Sequence, residues 1–79
     1  MKEIEYITEG IDKKSTGCFK DKWGNIFYLL NGKRHRDDGP AIEYEDGYES
    51  WYFYGIRADS KEQFYDLEWR KKIEIKLFL

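Results

Sequence analysis

The sequence predicts an α+β fold that is mainly β: a small twisted antiparallel sheet of repeated β-hairpins with one C-terminal helix. Three observations lead to this prediction: glycine-containing turn dipeptides separate short apolar runs, one stretch recurs after 23 residues, and the apolar spacing becomes helical at Ser60. A chain of 79 residues is long enough for one domain. Within this single domain, 1–79, we expect hairpin repeats over residues 17–59 and a capping helix over residues 60–72.

Two β elements are expected early in the chain. The segment EIEYIT (Glu3–Thr8) resembles a strand in its alternation of apolar and polar residues. Cys18–Lys20 and Asn25–Leu30 flank a turn at Asp21–Gly24, so we expect them to pair as a hairpin. The next dipeptide, Asn31-Gly32, suits either a hairpin turn or the closing bend of a repeat.

The corner RDDGP at residues 36–40 is expected to turn the chain into the strand AIEY. Pro40 has no N–H group and therefore suits the first residue of a strand, while Gly39 can adopt backbone angles that other residues avoid. Asp37 and Asp38 can accept hydrogen bonds from nearby backbone N–H groups in an Asx-turn. A tight turn is therefore the expected role of this motif.

The dipeptide Asp46-Gly47 predicts a second hairpin, because its residues suit the positive φ angles of a two-residue type I′ turn. In that register Ile42 faces Trp51, and residues two apart share a face. The face expected to be core carries Pro40, Ile42, Tyr44, Trp51 and Phe53. The face expected to be mixed carries Ala41, Glu43, Glu45, Tyr48, Ser50, Tyr52 and Tyr54.

The stretch Trp23–Arg36 aligns with Asp46–Asp59 when the frame is shifted by 23 residues. The shift places Gly24 on Gly47, Tyr28 on Trp51, Leu30 on Phe53, Gly32 on Gly55 and Arg34 on Arg57. Turn glycines, core-facing side chains and the closing glycine thus recur together. We interpret the two stretches as copies of a strand that is preceded by a turn and closed by a glycine.

The C-terminal part begins with a helix signal. Ser60 and Gln63 have the spacing of a capping box, and nearby acidic residues suit the positive end of a helix. Apolar residues follow at helical spacing, and Arg70–Lys72 is expected to be the last turn. The tail IEIKLFL alternates as a strand does but also continues a period of four, so a closing strand and a longer helix both remain open.

The residues of a known repeat motif occur in order between Trp23 and Asp59. They are His35, Arg36, Asp38, Gly39, Pro40, Ala41, Asp46, Gly47, Trp51, Tyr52 and Gly55. With them the chain resembles small phage and bacterial H-R-x-D-G-P-A repeat proteins, which are similar to MORN-type repeats in which β-hairpins line up side by side. The resemblance covers under half of the chain and implies structural roles for these residues rather than an activity. The second copy departs from the motif where IRADSKEQF replaces KRHRDDGPA, as in a terminal repeat that forms a cap.

Composition favours a cytoplasmic protein, in a bacterial host if the chain is phage-encoded. Its one cysteine, Cys18, allows no intrachain disulfide, which a secreted domain of this size would usually need. The N-terminus lacks the apolar core of a signal peptide, and no apolar run is long enough for a membrane span. The net charge of −2 argues against general nucleic-acid binding.

Residues that could carry catalysis are few and scattered. His35 could act as a base or metal ligand beside Asp37 or Asp38, but one histidine cannot form a metal site alone, and a motif residue in a turn is the simpler interpretation. Cys18 fits a small apolar residue of a strand. We therefore expect no enzyme activity, no metal and no cofactor.

The expected function is protein binding by an exposed row of tyrosines. The candidate residues are Tyr48, Tyr52 and Tyr54, rimmed by Arg34, Arg36, Glu43 and Glu45. We expect the helix to cover the face with Trp51 and Phe53 and to leave this row open. The family resemblance implies an accessory protein that binds, and in one version blocks, a host protein. The alternatives are self-association and nucleic-acid binding through Lys33, Arg34, Arg36, Arg70, Lys71 and Lys72.

Overall fold

The computed structural model describes residues 4–6 and 15–78, and within them it has the predicted α+β, mainly β, architecture. Eight short strands precede two helical segments in this part of the chain. The strands are β1 (Ile4–Tyr6), β2 (Gly17–Lys20), β3 (Ile26–Leu30), β4 (Lys33–Arg34), β5 (Ile42–Glu43), β6 (Glu49–Ser50), β7 (Tyr52–Phe53) and β8 (Ile56–Arg57). The helices are α1 (Lys61–Phe64) and α2 (Leu67–Phe78).

Antiparallel pairing joins most of the strands. One sheet has the order β1-β2-β3-β5-β6, and β4 pairs with the end of β3, while β7 and β8 form a separate two-stranded sheet. The predicted N-terminal strand is confirmed over Ile4–Tyr6, but it runs parallel to β2 and so departs from a purely antiparallel sheet. The remaining residues of the predicted EIEYIT strand lie outside the described ranges.

The first predicted hairpin, β2 with β3, is confirmed, and the Asp21 side chain holds its turn. The Asp21 carboxylate accepts hydrogen bonds from the N–H groups of Trp23 (3.0 Å) and Asn25 (2.9 Å), and from the Asn25 amide (3.0 Å). Burial raises the pKa of this carboxyl, but the donors from Asn25 and the neighbouring backbone outweigh burial and hold the pKa below its ordinary value. The Asn25 side chain also accepts the Glu45 N–H (2.9 Å), which ties this turn to the second hairpin.

Two turns in equivalent positions of the repeat have the same left-handed backbone. Asn31 and Gly32 have φ angles of 51° and 79°, and Tyr54 and Gly55 have φ angles of 50° and 84°. Positive φ at both central residues is the signature of a type I′ turn. Asn31-Gly32 is therefore a hairpin turn between β3 and β4, and Tyr54-Gly55 is its counterpart between β7 and β8.

The second predicted hairpin forms between β5 and β6, but its predicted register is wrong by one residue. Ile42 pairs with Ser50 rather than with the residue after it. Gly47 has a φ of 93°, Asp46 does not have a positive φ, and the Gly47 N–H donates to the Tyr44 carbonyl (2.9 Å). The loop therefore has three residues, a turn followed by a glycine bulge, instead of the two residues of a type I′ turn.

The corrected register changes which side chains share a face, because a one-residue slip moves a strand's side chains to the opposite side of the sheet. One face carries Ile42, Tyr44, Tyr48, Ser50 and Tyr52. The other face carries Glu43, Glu49, Trp51 and Phe53. The predicted core face, which combined Ile42 and Tyr44 with Trp51 and Phe53, is therefore wrong.

The predicted helix begins where expected, at a cap on Ser60. The Ser60 hydroxyl accepts the Gln63 N–H (3.1 Å), and the Gln63 side chain accepts the Asp59 N–H (2.7 Å). This is the reciprocal bonding of a capping box, displaced by one residue on the Gln63 side. The first helix, α1, ends after four residues at Phe64, so the expected continuous helix over residues 60–72 is interrupted.

Asp66 starts the second helix. Its carboxylate accepts the N–H groups of Glu68 (2.8 Å) and Trp69 (3.0 Å), as an N-cap side chain does. The second helix, α2, runs past the predicted end at Lys72 as far as Phe78, so the tail is helical over residues 73–78. Neither of the described helices is long and apolar enough to cross a membrane.

The helices cover the face that carries Trp51 and Phe53, as predicted. The core cluster consists of Phe53, Ala58, Phe64 and Ile73, with Trp51, Tyr54 and Trp69 packed against it. The ring centroids of Trp51 and Phe64 are 5.1 Å apart, and Phe64 is completely buried. Burial of a side chain of this size contributes about 1.5–3 kcal/mol, so Phe64 is a principal anchor of the helices on the sheet.

Candidate functional site

The face that the helices leave uncovered carries a shallow groove, which we call the tyrosine groove. It is lined by Tyr44, Asp46, Tyr48, Ser50, Tyr52 and Arg57 and has a volume of about 270 Å³. Tyr48 is 71% exposed, Tyr44 is partly exposed and Tyr52 is half-buried. Rings in such positions offer a large apolar area while their hydroxyls stay hydrated, so the groove has the chemical character of a binding surface.

Two arginines flank the central Tyr52 of the tyrosine groove. Arg57 lies opposite Tyr52 in the register of β7 and β8, and the Arg34 guanidinium carbon lies 5.5 Å from the centroid of the Tyr52 ring. Both arginines are exposed. Over the described ranges, neither guanidinium has a carboxylate within ion-pair distance. Their charges are therefore directed at solvent or at a ligand of the groove.

Several residues of the predicted binding surface lie elsewhere. Glu43 and Arg36 form an ion pair (Oε1–Nη1 3.3 Å) on the opposite face of β5, where the Arg36 guanidinium also lies 3.9 Å from the centroid of the Tyr28 ring. Glu45 lies in the loop of the second hairpin, against Gly24. Of the predicted set, only Tyr48, Tyr52 and Arg34 are brought together at the groove.

Tyr54, the third tyrosine of the predicted row, packs on His35 instead of lining the groove. The His35 ring contacts the rings of Tyr54 and Phe53, with centroids 4.1 and 5.1 Å apart. Its Nδ1 accepts the Tyr54 backbone N–H (2.8 Å), so the ring carries its proton on Nε2, which donates to the Asp37 carboxylate (2.9 Å). The His35 side chain is 9% exposed. Histidine thus has the packed, hydrogen-bonded position that a structural motif residue needs.

The glycine and proline of the RDDGP corner accommodate Arg36. Its Nη1 donates to the Pro40 carbonyl (3.1 Å). A Cβ at Gly39 would lie 2.7 Å from the Arg36 guanidinium carbon, so a side chain there would force Arg36 to move. The Asp38 carboxylate accepts the Tyr65 hydroxyl (3.5 Å), which links the corner to the helices. These contacts give the motif residues a structural purpose.

Arg70, one of the basic residues of the nucleic-acid alternative, is engaged in the fold. Its Nε donates to the Phe64 carbonyl (2.6 Å) and its Nη2 donates to the Asp37 carbonyl (2.8 Å). Its guanidinium carbon also lies 4.7 Å from the centroid of the Phe53 ring. The exposed members of that set are Lys33, Arg34, Lys71 and Lys72. With Arg36 and Arg70 occupied, the accessible basic surface is smaller than the sequence suggested.

The described residues contain few groups that could do chemistry. They include no cluster of three or more His, Cys, Asp or Glu side chains that could hold a metal ion. The Cys18 thiol is buried beside Tyr28. Burial raises the pKa of the Tyr28 hydroxyl above its ordinary value, against the opposing effect of the Arg36 guanidinium. Each buried side-chain N or O atom in these ranges has a hydrogen-bond partner within the protein.

Four lining residues of the tyrosine groove were not among the predicted binding residues: Tyr44, Asp46, Ser50 and Arg57. Tyr44 was expected on the core face because a two-residue turn was assumed, and Ser50 was expected on the mixed face without a binding role. Asp46 and Arg57 were expected only at motif or repeat positions. The position of the turn in the first repeat copy could have predicted the turn of the second hairpin. The first turn spans Asp21–Gly24, and the 23-residue shift places the second turn at Tyr44–Gly47, where the structure has it.

Comparison with known proteins returned no match: no family model, no curated protein and no solved structure is similar to this chain. The resemblance to H-R-x-D-G-P-A repeat proteins therefore stays a prediction from the motif residues. The function is inferred below from the groove and from the charges around it.

Proposed function

We propose that this protein is a non-enzymatic protein-binding module and that the tyrosine groove is its binding surface. One observation carries the proposal: Tyr44, Tyr48 and Tyr52 lie side by side on the sheet face that the helices do not cover. Protein interfaces are enriched in tyrosine and arginine, and the residues that dominate binding energy are often of these two types. The groove combines both types in one accessible place.

The backbone beneath the groove favours tight binding. Ser50 belongs to a paired strand of the main sheet, and Tyr52 and Arg57 face each other across β7 and β8. A tyrosine side chain has only two rotatable angles, so fixing it on a paired strand loses little conformational entropy on binding. A preorganised surface of this kind retains more of its contact energy as affinity.

The family resemblance supports a more concrete version of this function. Small phage and bacterial repeat proteins of this type would be accessory proteins, and a small rigid binding face could cover and block a larger protein. We therefore propose that the partner is a protein of a bacterial host, met in the cytoplasm, whose activity falls when the groove is occupied.

A pull-down from bacterial lysate with matched variants tests the proposal. Tyr48→Ala removes the most exposed ring of the groove, and Trp23→Ala removes a ring of similar exposure (67%) from the turn of the first hairpin. We expect one stoichiometric protein to be retained by the wild type and by Trp23→Ala. Tyr48→Ala should weaken its binding by about 30-fold, the effect of losing about 2 kcal/mol at a dominant contact.

Three outcomes would contradict the proposal. Equal retention by Tyr48→Ala and Trp23→Ala would show that the groove is not the binding surface. Retained material that nuclease removes would point to nucleic acid instead. Absence of any specific protein, together with a concentration-dependent increase in the size of the purified chain, would favour self-association.

A further inference from the structure

We infer that the segment of the partner protein that occupies the tyrosine groove is acidic: an extended stretch of polypeptide whose carboxylates are bound by Arg57 and Arg34. This inference rests on the proposed function and specifies the chemistry of the partner. It follows from the charges around the groove, from the comparison of the two repeat copies, and from the spacing of the tyrosines.

Two arginines, Arg57 in the lining and Arg34 over the central ring, and one acidic lining residue, Asp46, give the groove and its edge a local charge of about +1, although the whole chain has a net charge of −2. Arg57 lines the groove and Arg34 lies over its central ring, and in the described part of the chain neither is paired with a carboxylate. The one acidic lining residue, Asp46, already accepts the Tyr48 N–H (3.0 Å). A partner that brings carboxylates would therefore meet two unneutralised guanidinium groups, which bind carboxylates in a planar, two-bond geometry.

Two acidic side chains of the hairpin strands, Glu43 and Glu49, lie on the other face, while Asp46 of the hairpin loop lines the groove. Glu43 and Glu49 are a cross-strand pair, and alternation along the strands places them opposite to Ser50. Glu43 is neutralised there by Arg36. The paired strands thus carry their carboxylates on the face opposite to the groove, while the groove has one carboxylate, Asp46, beside two guanidinium groups.

Comparison of the two repeat copies shows that the groove replaces an apolar surface. The first copy has Phe27 and Leu29 where the second has Ser50 and Tyr52, and Leu29 is buried at 5% exposure. At the equivalent positions of the second copy Ser50 is buried and Tyr52 is half-buried, and the neighbouring Tyr48 is exposed, so this face is amphipathic and accessible at its edge. Such a face suits a polar partner that binds through ring contacts and charge rather than a permanent apolar neighbour.

The spacing along the groove fits an extended peptide. Tyr48, Ser50 and Tyr52 are alternate residues of one chain segment, so successive side chains on this face are roughly 7 Å apart. An extended peptide has the same two-residue repeat and can place alternate side chains between the rings. A nucleic-acid strand carries one phosphate per nucleotide, and two guanidinium groups would leave most of these charges without a partner. Charge matching therefore favours a short acidic peptide.

Selection from a phage-displayed library of random peptides tests the inference directly. The wild-type protein should enrich peptides that are more acidic than the starting library and that are lost on Tyr48→Ala. An enriched peptide, fluorescently labelled, is then titrated by fluorescence anisotropy against Arg57→Gln and against Lys72→Ala, which removes one charge from α2. We expect Arg57→Gln to weaken binding about fivefold and Lys72→Ala to leave it unchanged. Replacement of the peptide's Glu and Asp by Gln and Asn should weaken binding at least as much as Arg57→Gln does.

The outcomes separate this inference from the proposed function. Enriched peptides that are neutral or basic, and that depend on Tyr48 but not on Arg57, would overturn the acidic partner and leave protein binding intact. A library that yields no Tyr48-dependent peptide would count against both. Tighter binding of a single-stranded oligonucleotide of matched length than of the best acidic peptide would overturn the inference in favour of nucleic acid.

Discussion

Replacement of His35 by alanine tests whether the single histidine is structural. The change removes the acceptor of the partly buried Tyr54 N–H (2.8 Å) and the ring that packs against Tyr54 and Phe53. An orphaned N–H costs about 1–3 kcal/mol, and the lost ring contact costs about 1 kcal/mol more. The bond to Asp37, whose side chain is 77% exposed, adds little. We therefore expect the free energy of unfolding to fall by about 2–4 kcal/mol.

Urea unfolding followed by circular dichroism measures this loss, with two matched variants. A domain of this size has a total unfolding free energy of about 4–12 kcal/mol, so the expected loss is a large share of it. In a thermal melt, the same loss should lower the melting temperature by at least about 8 °C. In His35→Asn the amide oxygen can take the place of Nδ1 and accept the Tyr54 N–H. In His35→Gln the longer side chain reaches towards the Nε2 position and leaves that N–H without an acceptor. We expect Asn to restore more stability than Gln.

Two results would refute this reasoning. His35→Ala within about 0.5 kcal/mol of the wild type would show that the histidine does not hold the fold. A His35→Gln variant more stable than His35→Asn would show that the bond to the exposed Asp37, rather than the bond from the Tyr54 N–H, is the important one. Loss of an activity with unchanged stability would instead assign His35 to a functional site.

Two further predictions concern aspartate side chains that accept backbone hydrogen bonds, Asp66 at the start of α2 and Asp21 in the turn of the first hairpin. Asp66→Ala should lower the free energy of unfolding by about 1 kcal/mol because α2 loses its N-cap. Asp66→Asn keeps an oxygen acceptor and should lower the free energy of unfolding by less. Equal decreases for the two variants in urea unfolding would contradict the role of Asp66 as a cap. The Asp21 carboxyl should titrate below the ordinary aspartate range when followed by NMR. Because its folded pKa is the lower one, Asp21 stabilises the fold above the unfolded pKa, and this contribution disappears as the pH falls through the folded pKa. Asp21→Asn should flatten that acid dependence, and an unchanged dependence would argue against the lowered pKa.

Elements that depend on local chemistry were predictable from the sequence. Asn31-Gly32 forms the hairpin turn, one of the two roles expected for it, and Ser60 with Gln63 starts the helix. The repeat placed Tyr54-Gly55 on Asn31-Gly32, and the two turns have the same positive φ angles. These features follow from hydrogen bonds and steric preferences within a few residues.

The register of the second hairpin was not predictable from its turn dipeptide. Asp-Gly suits both a two-residue turn and a three-residue loop with a glycine bulge, since both need a glycine at positive φ. Burial decides between them: Ile42 is 2% exposed and its partner Ser50 is 6% exposed, so the observed register buries both. This difference of one residue in register places Tyr44 in the groove and puts Trp51 on the face opposite to Ile42.

The break in the helix has a similar explanation. The apolar spacing from Phe64 to Trp69 favours one helix, but Asp66 can cap a new one, and Arg70 donates to the Phe64 carbonyl at the break. Which of these interactions forms depends on how Phe64 packs on the sheet, a contact that no short stretch of sequence specifies.

The sequence alone determined the fold class, the repeat and the start of the helix, because each depends on neighbouring residues. Only the tertiary structure decided the rest. It brought Tyr44 and Arg57 to the groove with Tyr48, and it placed Tyr54 on His35 through a hydrogen bond between residues 19 positions apart. Strand register and face are decided by which surfaces are buried together, and burial joins residues that are distant in the chain.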